Sequence, residues 1–222
     1  MVVDFLIIGS GIAGLSYALK LSDRFPEKKI LILTKGNEDE SNTKYAQGGI
    51  AVVTDFDKDN FEKHVQDTLI AGGGLCNEEV VNIVIKEGRE RVNELIEWGT
   101  RFDKDKEGEY KLGKEGGHSE NRVLHHKDIT GYEIERALLA AIHARENIEM
   151  STHHFVIDLI TQHHLGHIIT RVTTNIRCYG VYVLDRKTNH IDKIIAKTTV
   201  LATGGFGQVY RSTTNPTIAS GD

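Results

Sequence analysis

Two kinds of stretch in this chain hold residues that could do chemistry: glycine-dense bends and a short acidic loop. Gly9-Ser10-Gly11-Ile12-Ala13-Gly14 has the spacing of a dinucleotide cradle. Its first glycine allows a tight exit from a strand, its second lets the backbone approach a pyrophosphate, and its third lets the following helix pack close. The start of that helix offers N–H groups and a positive dipole end to phosphates. About twenty residues further on, such folds normally place an acid that holds a ribose hydroxyl. Here that place is taken by Thr34 and Lys35. Either Lys35 meets an extra phosphate, as in NADP binding, or Thr34 or Lys35 makes the ribose contact in a flavin site.

Other clusters read as inert. His163-His164-Leu165-Gly166-His167 has histidines but no carboxylate or thiolate at a zinc-binding spacing, and reads as a polar turn. Asp55, Asp57 and Asp59 alternate as in a calcium loop, yet the glycine and terminal glutamate of that loop are missing, so a solvated turn is expected. Cys76 and Cys178 form no CxxC pair, which speaks against a disulfide framework and a thiolate metal site, and for a reducing, cytoplasmic setting.

The elements that must position the bends follow from hydrophobic pattern. VVDFLII at 2–8 and KKILILTK at 28–35 are apolar runs suited to buried parallel strands, with an amphipathic helix from Leu15 between them: a βαβ unit. Helices are expected near 60–70 and near 78–98, the second capped by Asn77 and ended by Gly99. Residues 101–128 read as a long loop. A further helix begins at Thr130, where Thr130 and Glu133 have the spacing of a capping box. Segments 154–161, 176–184 and 191–196 read as an antiparallel meander with a turn at 185–189, and 198–205 as a separate strand returning to the first sheet.

The composition agrees with one large globular domain or a domain carrying an insertion. The 222 residues include 27 Lys plus Arg and 32 Asp plus Glu, a net charge of −5. That excludes a nucleic-acid binder relying on a dense cationic face. No apolar stretch approaches the roughly 20 residues of a membrane helix, and Val2–Ile8 is no signal peptide.

Taken together, GSGIAG, the Leu33-Thr34-Lys35 strand end, SNTKYAQGGIA at 41–51, DTLIAGGGLC at 67–76, EGGHS at 115–119, ATGGFGQVY at 202–210 and TTNPTIASGD at 213–222 resemble the succinate dehydrogenase/fumarate reductase flavoprotein family, in particular its amino-acid-oxidising branch. The resemblance implies an α/β fold: a Rossmann-type FAD-binding domain, interrupted by the start of a capping domain, with an antiparallel β-meander. It implies that Ser10, Gly11, Ile12, Ala13 and Gly14 cradle the pyrophosphate and that Lys35 lies by the adenosine. Asn42, Thr43, Lys44, Tyr45, Ala46, Gln47, Gly48 and Gly49 would wrap the flavin, with Thr203, Gly204 and Asp222 as further contacts. Asn42 stands where covalent members of the family carry a histidine, so noncovalent FAD is expected. Glu115 would orient the substrate by holding an α-ammonium group, and His118 would border the site.

The implied reaction is FAD-dependent oxidation of L-aspartate to iminoaspartate, with oxygen or fumarate as acceptor and hand-over of the product to quinolinate synthase on the way to NAD. Members of the branch are much longer. Residues 1–222 are therefore expected to be an N-terminal fragment of the FAD-binding domain, without useful activity by itself and holding FAD weakly at best. An NADP-dependent reductase and a non-catalytic dinucleotide-binding module are the alternative readings.

Overall fold

The computed structural model describes residues 1–221. In chain order the elements are β1 (Val2–Ile8), α1 (Ile12–Arg24), β2 (Ile30–Leu33), β3 (Ile50–Ala51), α2 (Phe61–Ala71), α3 (Glu78–Glu97), β4 (Val123–Leu124), α4 (Thr130–His143), β5 (Ile148–Ser151), β6 (His154–Thr161), β7 (Cys178–Asp185) and β8 (His190–Leu201). They form two units. The first joins Met1–Tyr45 to the residues from Leu138 onward, and the second is Ala46–Ala137.

The first unit is built on a six-stranded sheet in the order β5-β2-β1-β8-β7-β6. β1 runs parallel to both β2 and β8, and β2 runs parallel to β5. A parallel strand with both faces covered has no solvent side to make polar, so its sequence reads as a continuous apolar run. All four residues of β2 are at most 1% exposed. One core cluster joins Leu6, Ile8, Leu31 and Leu33 to Val181, Val183, Ile194 and Ala196 of the meander. Leu15, Ala18 and Leu19, at helical spacing on α1, are completely buried.

Three expectations change. The two strands read at 191–196 and 198–205 are one. β8 pairs antiparallel with β7 over His190–Ile195 and parallel with β1 over Ile195–Leu201, so the meander and the parallel strands share a sheet. No glycine or proline interrupts 190–201, and the chain has no reason to turn there. β5 was not foreseen, because four residues with an exposed Glu149 are too short for alternation to show. Thr130 and Glu133 do not cap each other. The Thr130 hydroxyl accepts from the His126 N–H, and the Glu133 carboxylate accepts from the Arg101 N–H and from Arg136.

The second unit holds α2 and α3, whose first turns are capped by the side chains of Asn60, accepting from the Lys63 N–H, and Asn77, accepting from the Val80 N–H. Its core gathers Val52, Val92, Phe102 and Leu124. Residues 101–128 have little regular structure but are tied down. β4 pairs with β3, and isolated bridges join Lys104 to Tyr110 and Gly113 to Val123.

Candidate functional site

In the first unit a crevice of about 620 Å³ opens at the carboxyl ends of β1, β2 and β8. Open α/β sheets bind ligands at that edge. Gly9–Ala13, Ser41–Thr43 and Ala202–Gly205 line it, with Leu33–Lys35 and His154–Leu159 as further walls. The bends meet because β1 and β8 are neighbours with Ile8 opposite Leu201, so the chain leaves both strands at the same level.

The glycines are dictated by backbone contact. Gly9 has φ +112°, and a Cβ on it would collide with the Ala202 carbonyl. A Cβ on Gly14 would collide with the Gly9 carbonyl, so Gly14 sets how closely α1 packs and is not itself a lining residue. At Gly11 a Cβ would meet only Thr43 Oγ1 at 3.5 Å and Ser41 Cβ at 3.7 Å. The first turn of α1 carries no acidic residue, so its positive dipole end is not offset from within the helix. The Ile12 N–H donates to Thr43 Oγ1 at 3.0 Å, which ties the first bend to the second. Such a crevice can take an elongated, phosphate-bearing group.

Of the residues the sequence singled out, Ser10, Gly11, Ile12, Ala13, Lys35, Asn42, Thr43, Thr203 and Gly204 line this crevice. Lys35 Nζ donates to Ser220 Oγ at 2.7 Å, and Thr34 is buried beside it. Lys44 and Tyr45 are engaged elsewhere. Lys44 donates to Asp39 at 2.6 Å, a hydrogen bond that raises its pKa, and the Tyr45 hydroxyl donates to Glu40, which raises the phenol. Ala46, Gln47, Gly48 and Gly49 belong to the second unit. There the Ala46 carbonyl accepts from the Gly131 N–H, Gln47 is exposed, and Gly49 lies against the Leu124 carbonyl with no room for a Cβ. Asp222 lies outside the described residues. The wall of β6 was not anticipated, since nothing in HFVIDLIT distinguishes it from any partly buried strand.

Glu115 and His118 also sit in the second unit. Glu115 is exposed, and a Cβ on Gly48 would stand 3.9 Å from its Oε1. The loop closes through the His118 N–H donating to the Glu115 carbonyl and Lys114 Nζ donating to the Ser119 carbonyl. Beneath it lies a charge network invisible in the sequence. Arg122 is 1% exposed and donates to both oxygens of Asp59, at 2.7 and 2.8 Å, and to Asp67. Asp67 Oδ2 also accepts from the Ser119 N–H and hydroxyl, each at 2.8 Å. Burial pushes the Asp67 carboxyl up, but the Ser119 and Arg122 hydrogen bonds outweigh it and hold the pKa at about 2. Asp59 is likewise raised by burial and lowered further by Arg122 and the Asn60 N–H. The expected solvated turn at 55–59 is thus corrected at Asp59, which is 4% exposed and paired. His64 is buried with its ring centroid 6.0 Å from that of His118, edge to face, and burial with nearby Arg122 and His118 lowers its pKa. His163 and His164 lie in a 3₁₀ turn over Gln162–Leu165, where His164 Nδ1 accepts from the Thr161 N–H.

The chain belongs to the FAD binding domain family. The match covers residues 4–222, and FAD is the cofactor that goes with it. The chain is 49% identical over 219 residues to a chloroplastic L-aspartate oxidase of Oryza sativa subsp. japonica, covering 99% of this chain and 32% of that protein. It is 44% identical over 226 residues to an L-aspartate oxidase of Pseudomonas aeruginosa, covering 99% of this chain and 40% of the relative. The fold matches E. coli quinol fumarate reductase FrdA with a TM-score of 0.86 at 28% identity, covering 99% of this chain and 35% of that one. The chain therefore spans a third to two fifths of the relatives' length. Among the described residues no helix is long and apolar enough to cross a membrane.

Proposed function

We propose that the protein acts in the FAD-dependent oxidation of L-aspartate to iminoaspartate, with oxygen or fumarate as electron acceptor. Because the chain spans only part of these relatives, the activity is proposed for the whole protein, to which these residues bring a cofactor crevice and the Glu115 loop. The observation that carries the reading is the lining of one crevice by three bends, Gly9–Ala13, Ser41–Thr43 and Ala202–Gly205, in a chain 49% identical to a protein named L-aspartate oxidase. Ser10, Gly11, Ile12 and Ala13 would hold the pyrophosphate at the start of α1, with Gly14 keeping the helix close. Lys35 would lie by the adenosine. Asn42 and Thr43, with Lys44–Gly49 continuing their loop, would serve the flavin end with Thr203, Gly204 and Asp222. Asn42 cannot form the histidyl bond of covalent family members, so FAD is held noncovalently. Bound FAD supplies the two-electron acceptor chemistry that no side chain has.

Glu115 would accept hydrogen bonds from the substrate's α-ammonium group, a group absent from C4-dicarboxylates, and so favour aspartate over succinate. His118 would border the same site. The second unit is read as the start of a capping domain inserted into the FAD-binding domain, since the chain leaves the first unit after Tyr45 and rejoins it at Leu138. Iminoaspartate is unstable in water, which favours direct hand-over to quinolinate synthase and thus a place in NAD synthesis. The free thiols of Cys76 and Cys178 suit a reducing compartment such as the cytoplasm, although the rice relative is named chloroplastic.

Anaerobic mixing of the whole, flavin-loaded protein with L-aspartate tests the reading. Bleaching of the flavin band near about 450 nm is expected, and Glu115→Gln should raise the aspartate concentration needed about tenfold or more. A loaded protein that stays yellow with aspartate contradicts the assignment.

A further inference from the structure

We propose that Asp67 and Arg122 are positioning residues for the loop Glu115–Ser119, fixing the Glu115 carboxylate where it receives the substrate's ammonium group. This inference rests on the aspartate-oxidising reading above.

One face of α2 forms a platform for the loop. His64, Asp67 and Ala71 are three and four residues apart, so they lie along the same side of the helix. Each meets a different loop residue. The His64 ring meets the His118 ring edge to face. Asp67 Oδ2 accepts both the N–H and the hydroxyl of Ser119. The Ala71 Cβ lies 3.7 Å from where a Cβ on Gly117 would stand. Arg122 locks the platform from below. Its guanidinium forks onto Asp59, just before the helix cap Asn60, and also reaches Asp67.

Stability alone does not explain this arrangement. Taking one guanidinium and two carboxylates out of water is costly, and apolar side chains of similar volume often stabilise a protein as well or better. What the planar fork adds is direction, because its hydrogen bonds are satisfied in one geometry. A carboxylate that must meet an ammonium needs that direction, with tolerances of about 0.5 Å. Asp67 does so through Ser119, at the far end of the loop that Glu115 begins.

Three variants test the proposal. Asp67→Ala removes the clamp, Asp67→Asn keeps its shape without the charge, and Ser119→Ala removes only the hydroxyl's contacts, to Asp67 and from Arg122. In this chain, amide hydrogen exchange at His118 and Ser119 should quicken about tenfold or more in Asp67→Ala while the β1 amides stay protected. In the holoenzyme, KM for L-aspartate should rise about tenfold with a smaller change in kcat. KM for fumarate, which has no ammonium group, should stay within about twofold. Asp67→Asn should fall between wild type and Asp67→Ala. Equal shifts for both substrates, or unchanged loop exchange, overturn the proposal. If Asp67→Ala does not fold, Ser119→Ala decides by the same comparison. A wild-type holoenzyme inert toward aspartate sinks the aspartate reading instead, and loop exchange then decides the positioning claim alone.

Discussion

At the scale of single residues, Asp67 is where burial and hydrogen bonding compete most openly. Its carboxyl is held at about 2, against an ordinary value of 3.8. A carboxylate with a depressed folded-state pKa contributes stability that is complete above the unfolded pKa and lost as pH falls through the folded one. The window is therefore from about pH 4 down to about pH 2, and the contribution about 2 kcal/mol. Urea unfolding at a series of pH values checks this. Wild type should lose about 2 kcal/mol more than Asp67→Asn across that window. Parallel curves would mean that the carboxyl is not held by Ser119 and Arg122. Asp67 also marks a limit of reading sequence. It stands 55 positions from Arg122, and nothing local announces that the two will meet. Gly9 and Gly14, by contrast, are legible, because the motif's spacing assigns the first to the strand exit and the second to close packing of α1.

Among the elements, β8 does most to assemble the crevice. Its first half closes the meander and its second half lies beside β1, so one strand brings Ala202–Gly205 level with Gly9. That double role was hidden in the sequence. No glycine or proline in 190–201 marks where its partner changes, so the run reads as two strands. ILIL and the Leu6–Ile8 end of β1 are legible for a different reason, since burial on both faces leaves a run with no polar alternation. β7 is fitted to β8 through Gly180, which has φ +141° and no room for a Cβ against the Ile194 carbonyl. Gly180→Ala should therefore destabilise by about 2 kcal/mol or more, through backbone strain and a forced shift of β8. The urea midpoint measures it, and a variant as stable as wild type would show that the two strands are not packed this closely.

For the whole molecule, an insertion is implied by the family resemblance, but its bounds, after Tyr45 and before Leu138, have no local mark in the sequence. The partners of that inserted stretch were not visible, because β3 and β4 are two residues each and pair across more than seventy positions of sequence. Lys35 left two cofactors open in the sequence, and family membership settles on FAD. On the proposed reading, the three bends form a crevice selective for this dinucleotide. A fluorescence-quenching titration of FAD with the whole apoprotein tests this, repeated with NADPH as competitor and with Gly11→Glu, which puts a charged side chain into the crevice. Saturable quenching of FAD, no displacement by NADPH, and binding weakened about tenfold or more in Gly11→Glu with an unchanged far-ultraviolet circular dichroism spectrum are expected. Absence of saturable quenching, or displacement of FAD by NADPH, would contradict it.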